Sequence, residues 1–316
     1  MFPATQTRRE FLRRSGALAA ALGAGAYLPP ALAQETAYPH SSGSARAAAA
    51  LPADACDCHM HIYDPRFPWA SGAKLLHPAA TVAMYRRLQQ RLGTTRNVVV
   101  TPSAYGTDNR CTLDALAQLG AAARGVAVAD VNVSDEELAR LDRAGVKGLR
   151  FNLALGAVTT AAMIEPLARR VAPLGWHVQI NMSNDELLAN RAMLSRLPTP
   201  VVFDHFARIP LQAGAVHPVY DLVAGLMREQ RASVKLSGAY LASKAGAPSY
   251  ADVAPLARAL IDNAPGQVLW GSDWPHPTEQ HKPDDALLLD LMAAWAGSEQ
   301  RLRAILVDNP ARLYHF

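Results

Sequence analysis

The 316-residue chain is poor in cysteine, with Cys56, Cys58 and Cys111 as its only thiols. An odd and small number of cysteines in a chain of this length argues against a fold built on disulfide bonds. Cys56 and Cys58 lie two apart on a predicted strand, where an extended backbone would strain a bond between them. We therefore interpret all three cysteines as small buried side chains.

Long hydrophobic runs and an excess of one charge are also lacking. The apolar run at residues 17–28 is short for a membrane span and contains glycine. The formal net charge is +4, but residues 1–33 carry four arginines and one acid, which leaves 27 bases and 26 acids in the remainder. A nearly neutral domain argues against nucleic acid as a partner. Half of the residues are hydrophobic, as in a globular protein with a full core.

The N-terminal residues 1–33 have the three parts of an export signal: a basic start, an apolar run and an ending of small residues. The Arg8-Arg9 pair is typical of a twin-arginine signal, which predicts cleavage after Ala33, recognition by the twin-arginine export machinery and a periplasmic location in a bacterium. The alternative is an uncleaved membrane anchor. Residues 34–53, rich in serine, alanine and glycine, are predicted to form a flexible lead-in.

The rest of the chain alternates between short β-branched runs and segments of helical periodicity. Eight strands that alternate with helices favour a single (β/α)8 TIM barrel over residues 54–316. An open doubly wound sheet is the alternative, although no GxGxxG follows the first strand. The final helix is expected to pack on the barrel exterior. We predict strands at residues 54–61, 97–101, 125–132, 146–152, 177–182, 201–205, 233–237 and 267–273.

Polar side chains end most of these strands. They are His59, His61, Ser103, Asn132, Arg150, Asn152, Asn181, His205, Ser237 and Asp273. In a TIM barrel the carboxyl ends of the strands form the active-site mouth, so these groups are candidates for catalysis and binding. Strict alternation along the first strand places Asp57, His59 and His61 on the face toward the axis, and Cys56 and Cys58 on the other face.

The motifs HMH after the first strand, FDHFAR at the sixth and LWGSDWPHP at the eighth resemble the amidohydrolase superfamily. More narrowly, they are similar to its amidohydrolase-2 lactonase branch, typified by 2-pyrone-4,6-dicarboxylate lactonase and enzymes of sugar-acid lactones. NVVVTPSAYGTDNR, GVKGLRFNL, GWHVQINM and VDNPARLY extend the resemblance over residues 54–314. It implies a hydrolase that opens the lactone ring of a carboxylated pyrone or a sugar acid.

Hydrolysis of a lactone requires an activated water, a polarised carbonyl and a proton for the leaving alkoxide. Asp273 is the predicted general base, and partial burial in the GSDWP turn is expected to raise its pKa. His59, His61 and His205 are predicted to polarise the carbonyl. The same four residues could instead hold one divalent metal such as zinc.

The fourth strand bears on the choice between a metal and none. It reads VKGLRFNL, with Lys147 near its start and Arg150 at its mouth. Much of the superfamily adds a lysine of this strand to a metal site, whereas the lactonase branch is described as metal-free. A cation at the mouth disfavours a second metal and favours a carboxylate substrate. We predict metal-free hydrolysis, with a metal-dependent decarboxylase or hydratase, or a lactone isomerase, as the alternatives.

Candidate substrate contacts are spread over several loops. Arg150 and Arg208 could bind a carboxylate. Hydrogen bonds to ring or carboxylate oxygens could come from Ser103, Tyr105 and Asn181, and the resemblance adds Tyr240 and His276 as substrate contacts. The sequence also departs from the dicarboxylate lactonase, since GAV follows FNLAL where that enzyme has a basic residue. Leu241 likewise stands where it has an arginine. The absence of these two basic residues argues against a tightly bound dicarboxylate substrate. It favours a monocarboxylate, a sugar-type lactone or a less charged ring ester.

Overall fold

The computed structural model describes residues 38–154 and 158–316. Each strand pairs in parallel with the next one along the chain, in the order β1 to β8. This arrangement confirms the predicted TIM barrel in a single domain. The strands are β1 (Cys56–Met60), β2 (Arg96–Val100), β3 (Ala123–Ala127), β4 (Val146–Asn152), β5 (His177–Asn181), β6 (Val201–Phe203), β7 (Ala232–Leu236) and β8 (Val268–Trp270).

The barrel is joined between β1 and β8 just beyond the end of β8. The Asp273 amide donates to the His59 carbonyl at 2.7 Å, and the His61 amide donates to the Trp274 carbonyl at 2.8 Å. At this seam a Cβ on Gly271 would lie 2.5 Å from the Cβ of His59, so the close approach of the two chains requires glycine. The seam therefore places Asp273 directly beside the two histidines of β1.

Helices cover the outside of the sheet with their apolar faces, as expected for a parallel barrel. Side-chain caps start several of them; Ser134, for example, accepts a hydrogen bond from the Glu137 amide. No helix in the described ranges is long and apolar enough to cross a membrane. The helices are α1 (Val82–Leu92), α2 (Arg110–Leu119), α3 (Asp135–Arg143), α4 (Ile164–Val171), α5 (Asn184–Ala189), α6 (Arg191–Leu194), α7 (Pro218–Arg228), α8 (Ala254–Asn263), α9 (Asp285–Ala296), α10 (Glu299–Arg303) and α11 (Asn309–Tyr314).

Inside the barrel, apolar side chains from five strands form a cluster that we call the apolar interior cluster. Its members are Cys56, Cys58, Val98, Val100, Val126, Val202, Leu269 and Tyr314. The last helix was predicted to pack on the barrel exterior, and its residue Tyr314 is fully buried in this cluster. All three cysteines are buried and free, as predicted.

A β-bulge in β1 corrects the predicted alternation. Asp57 pairs with Asn97 and Met60 with Val99, so β1 has one residue more than β2 over this stretch. Before the bulge Cys56 and Cys58 face the interior and Asp57 faces outward, opposite to the prediction. After it His59 and His61 face the axis, as predicted.

Asp57 is held on the outer side of the strand by hydrogen bonds. The Ser272 hydroxyl donates to its carboxylate at 2.6 Å, and the Tyr85 hydroxyl donates at 3.0 Å. Burial raises the pKa of Asp57 to about 6, although these hydrogen bonds and the Ser272 amide oppose the rise. Asp57 therefore supports the seam from behind and does not face the mouth.

The N-terminal predictions fall partly outside the described residues. The export signal and its cleavage site lie outside the described residues. Residues 38–53 form no helix or strand, but they contact the barrel: the Trp274 indole donates to the Pro39 carbonyl at 2.9 Å, and the Ala49 amide donates to Asp290 at 2.8 Å. From residue 38 onward the expected flexible lead-in is thus bound to the barrel surface.

The predicted end of the third strand was also wrong. β3 ends at Ala127, so Asn132 lies in an exposed loop beyond the barrel mouth. The Asn132 amide donates to the Asp130 side chain at 2.7 Å, which closes a turn that ends the extended backbone.

Candidate active site

Four side chains from three different strand ends converge at the mouth of the barrel. The Oδ1 atom of Asp273 lies 3.6 Å from Nε2 of His59, 3.5 Å from Nε2 of His61 and 4.0 Å from Nε2 of His205. All four residues are buried. The structure thus brings together the four residues that the sequence predicted as catalytic.

The other ring nitrogen of each histidine is also engaged. The His61 Nδ1–H donates to the Val100 carbonyl at 2.7 Å, and His205 Nδ1 lies 2.9 Å from the Ser237 hydroxyl. Because a carbonyl only accepts, a neutral His61 presents a bare Nε2 toward the Asp273 oxygen. Two facing acceptors need a proton or a cation between them, so this site is built around a shared positive charge.

A left-handed turn presents consecutive residues to the same site. His205, Phe206, Ala207 and Arg208 have φ angles of 51°, 56°, 53° and 54°. Such a conformation costs roughly 1–2 kcal/mol per non-glycine residue, and strain of this kind clusters at functional sites. Because the chain turns here, Asp204 and His205 both reach the barrel interior, where neighbours on a strand would point in opposite directions.

Beneath the histidines lies a second group of side chains, which we call the charged interior cluster. Its members are His59, Arg150, Gln179, Asp204 and Lys235, all nearly or fully buried. Asp204 lies 3.3 Å from the Arg150 Nε and accepts from Gln179 at 3.1 Å, while Lys235 donates to Gln179 at 2.6 Å and lies 3.2 Å from His59 Nδ1. This cluster fixes the ring of His59 from below.

The charges in this cluster shift one another. Burial raises the pKa of Asp204, but the charges of His59 and Lys235 outweigh that effect and hold it well below its ordinary value. Burial lowers the pKa of Lys235, which the charge of Asp204 opposes. Sequence reasoning missed Gln179, Asp204 and Lys235. The available signal was a polar residue inside each of the apolar stretches HVQIN, VVFDHF and SVKLS.

The expected pKa of Asp273 was wrong in direction. Burial does raise it, but the charge of His205, the hydrogen bond from His61 and the charges of His59 and His61 outweigh burial and hold it below its ordinary value. Burial in turn lowers the pKa of His59 and His205. The positive charges and hydrogen bond supplied by the histidines, and not burial, thus set the direction of the Asp273 pKa shift.

A chain of hydrogen bonds lies behind the other oxygen of Asp273. The Tyr240 hydroxyl donates to Asp273 Oδ2 at 2.7 Å and lies 2.9 Å from His276 Nδ1. His276 Nε2 lies 3.1 Å from the Asp285 carboxylate, and both residues are fully buried. Tyr240 and His276 were predicted to contact substrate, but the structure places them where they orient Asp273.

The open side of the site is a cavity of about 130 Å³. Its walls include three of the four predicted catalytic groups, with His59 lying outside the lining. Tyr105, a predicted substrate contact, also lies outside: it is buried, and its hydroxyl accepts from the Asp64 amide at 3.0 Å. The lining residues are His61, Tyr63, Leu75, Pro102, Ser103, Arg150, Asn152, Asn181, His205, Arg208, Leu241, Asp273, Pro277 and Thr278.

Comparison with known proteins assigns the chain to a family. A family model described as amidohydrolase matches residues 56–316. The chain belongs to the amidohydrolase family. It is 39% identical over 277 residues to a 2-pyrone-4,6-dicarboxylate hydrolase of Comamonas testosteroni, covering 84% of this chain and 91% of the relative. It is 33% identical over 273 residues to a 4-sulfomuconolactone hydrolase of Hydrogenophaga intermedia, with 84% and 89% covered.

A solved structure agrees with the fold of this amidohydrolase. A crystal structure of an Agrobacterium tumefaciens protein superimposes with a TM-score of 0.80 at 29% identity, covering 88% of this chain and 98% of that chain. The amidohydrolase fold and the converging residues were therefore both expected from the sequence motifs.

The residues present also fit a single divalent metal. His59, His61 and Asp273 each offer a ligand atom within 4.8 Å of the others, and Nε2 of His59 is buried without a hydrogen-bond partner. Imidazole and carboxylate donors suit zinc, and hydrogen-bonded Nδ1 atoms are common around metal ligands. A zinc ion held by these residues and His205 would polarise a carbonyl as a Lewis acid.

Proposed function

We propose that this amidohydrolase hydrolyses the ring ester of a lactone that carries an anionic group. The observation that carries the proposal is the buried Asp273 carboxylate, which reaches the cavity beside His61 and His205. A cavity of about 130 Å³ suits one small ring, since an engineered cavity of about 150 Å³ binds benzene. Two relatives named as hydrolases of a pyrone dicarboxylate and a sulfomuconolactone support the substrate class.

In the proposed reaction Asp273 accepts a proton from a water molecule as that water attacks the lactone carbonyl. His61 and His205 line the same cavity, and each can donate a hydrogen bond from Nε2 to the oxyanion of the tetrahedral intermediate. For His61 the donor is the doubly protonated ring, because its Nδ1–H is bonded to the Val100 carbonyl. When the ring C–O bond breaks, the protonated Asp273 returns its proton to the leaving alkoxide. The products are a hydroxyl group and a carboxylic acid, which releases its proton to solvent as it becomes a carboxylate, and Asp273 ends ionised as it began.

The charged interior cluster supports the choice of a mechanism without a metal. The Lys235 ammonium lies 3.2 Å from His59 Nδ1, and Asp204 Oδ1 lies 3.2 Å from the same nitrogen. Arg150 adds a second buried cation to this cluster, 3.3 Å from Asp204. The positive charges of Lys235 and Arg150 disfavour a divalent cation at the neighbouring Nε2 of His59. We therefore propose that no metal is required.

Arg208 is the proposed contact for the anionic group of the substrate. Its side chain lines the cavity, and no carboxylate of the described residues lies within 4.0 Å of it. Arg150 also lines the cavity, but its Nε is 3.3 Å from Asp204 in the buried cluster. Arg208 can therefore form a bidentate pair with a substrate carboxylate or sulfonate, with Arg150 adding positive charge from below.

A pH-stat assay with mass analysis of products tests the proposal. The panel comprises pyrone carboxylates, muconolactone-type sulfonates and sugar-acid lactones. Release of acid with a product heavier by one water is the expected result. A product of unchanged mass would instead indicate lactone isomerisation, and loss of carbon dioxide would indicate decarboxylation. Either of these, or silence across the panel, would contradict hydrolysis.

Measurements of metal content and of activity after chelation test separately whether the hydrolysis requires a metal. Purified protein is expected to contain less than one equivalent of zinc and to keep its rate after dialysis against a chelator. Loss of activity that stoichiometric zinc restores would contradict this part and leave lactone hydrolysis in place.

We also infer a periplasmic location from the Arg8-Arg9 pair and the small residues before position 34. Cell fractionation of the full-length protein is expected to find it in the periplasm, and Arg8→Lys with Arg9→Lys is expected to keep it in the cytoplasm. Cytoplasmic wild-type protein would contradict the inference.

A further inference from the structure

A second cavity adjoins the proposed active site. It has a volume of about 280 Å³, larger than the cavity beside Asp273, and it lies between the turns that follow β6 and β7. The two cavities share His205, Arg208 and Leu241 as lining residues. A ligand whose ring occupies the first cavity can therefore extend past these side chains into the second.

The walls of the second cavity are apolar with a basic rim. Ile209, Pro210, Leu211 and Leu241 supply aliphatic surface, and the exposed side chains of Arg208 and Lys244 supply positive charge. Leu241 is 38% exposed and lines both cavities. Exposed aliphatic surface beside a reactive centre is typical of a binding pocket.

The backbone around the cavity is arranged to keep the two turns in contact. Gly238 has a φ of 66°, and a Cβ at this position would lie 2.7 Å from Leu241 Cδ1 and 3.1 Å from His205 Nδ1. Glycine thus lets the β7 turn approach His205 while Leu241 faces the shared wall. The turn after β7 therefore contributes Leu241 to the apolar wall and also contacts His205.

We propose that the substrate is a lactone with an apolar substituent, whose ring and reacting carbonyl occupy the first cavity and whose substituent occupies the second. Arg208, at the boundary of the two, binds its single acidic group. This inference rests on the proposed function and specifies its substrate class. A compact dianionic ring would leave the aliphatic surface of Leu241 and its neighbours exposed to water, whereas an alkyl or aryl substituent covers it.

Two matched ligand series test the inference. One series is carboxylated lactones with the same ring and a substituent that grows from hydrogen to butyl, and the other is the corresponding lactams, which resist hydrolysis. Calorimetry with the lactams is expected to show affinity rising about fourfold for each buried methylene. The kcat/KM of the lactones is expected to rise in parallel.

Leu241→Arg places a charge in the wall that the two cavities share. It is expected to reduce the gain from the butyl group at least tenfold, both in lactam affinity and in lactone kcat/KM. Val216→Arg is the matched control, because Val216 is 84% exposed and lines neither cavity. Affinity that does not grow with the substituent, or an unchanged gain in Leu241→Arg, would overturn the inference. Growing lactam affinity without lactone hydrolysis would overturn only the proposed reaction.

Discussion

Two clusters inside the same barrel have opposite chemistry. The apolar interior cluster is drawn mainly from β1, β2, β3, β6 and β8, whereas the charged interior cluster is drawn mainly from β4, β5 and β7. The apolar cluster stabilises the fold by removing surface from water. The charged cluster holds Asp204 against two cations and turns His59 toward Asp273. The difference teaches that this barrel replaces apolar packing in its interior by buried charges next to the candidate active site.

The largest expected effect is on the reaction. Asp273→Asn keeps the size of the side chain but removes the proposed base, so kcat/KM for the accepted lactone should fall about a thousandfold. Steady-state hydrolysis measures this fall, and a thermal unfolding curve close to that of the wild type serves as the control. A rate within tenfold of wild type would exclude Asp273 as the general base.

Lys235→Met tests whether the charged cluster is needed for folding as well as for the site. The substitution leaves Asp204 buried with one cation fewer, so the free energy of unfolding should fall by about 3–5 kcal/mol. The kcat of the folded fraction should also fall, because His59 loses the contact with Lys235 that helps to fix its ring. Urea unfolding and an assay at matched folded concentration measure the two effects.

Val126→Ala is the matched change in the apolar cluster. It should lower the free energy of unfolding by about 2 kcal/mol through the cavity it leaves. Its kcat should stay at the wild-type value. If it reduces kcat as much as Lys235→Met does, the two clusters do not differ in function.

Asp57 extends the comparison to a buried carboxylate that forms no ion pair with any other described residue. Its folded pKa of about 6 lies above the ordinary value of 3.8, so the folded state binds more protons between these two values. The free energy of unfolding contributed by Asp57 should therefore fall by about 2–3 kcal/mol as the pH rises from 4 to 7.

The measurement is urea unfolding at pH 4 and pH 7 for the wild type and Asp57→Asn. Relative to Asp57→Asn, the wild type should have a lower free energy of unfolding at pH 7 than at pH 4. A shift in the other direction would mean that the hydrogen bonds from Ser272 and Tyr85 outweigh burial.

The smallest expected effect concerns the second oxygen of Asp273. Tyr240→Phe removes the hydrogen bond that the Tyr240 hydroxyl donates to Asp273 Oδ2 at 2.7 Å. The kcat should fall about tenfold, because a hydrogen bond to a charged group contributes about 1.5–3 kcal/mol. Tyr85→Phe is the matched control, since it removes a hydrogen bond to Asp57 on the outer side of β1. Equal losses in both variants would argue against a specific positioning role for Tyr240.

Much of the fold and site could be predicted from sequence because the relevant signals are local. Apolar runs separated by helical segments revealed all eight strands, and the polar residues at their ends included His59, His61, His205 and Asp273. These predictions needed only the rule that strand ends meet at one mouth.

The wrong or missing predictions concern features that depend on a neighbouring strand or on closure of the barrel. The bulge in β1 exists only relative to β2, so the reversed orientation of Asp57 had no local signal. Asp204 and Lys235 come from different strands and become a cluster only when the barrel forms. The pKa of Asp273 depends on three histidines that approach it in space, which reversed the direction expected from burial.

The proposed mechanism depends most directly on attack of water at the lactone carbonyl. The test is turnover by the wild-type protein in water labelled with heavy oxygen, with the label located in the product by mass spectrometry. Attack at the carbonyl assisted by Asp273 predicts one labelled oxygen in the new carboxylate and none in the new hydroxyl. Label in the hydroxyl, or an unlabelled product, would contradict the proposed mechanism.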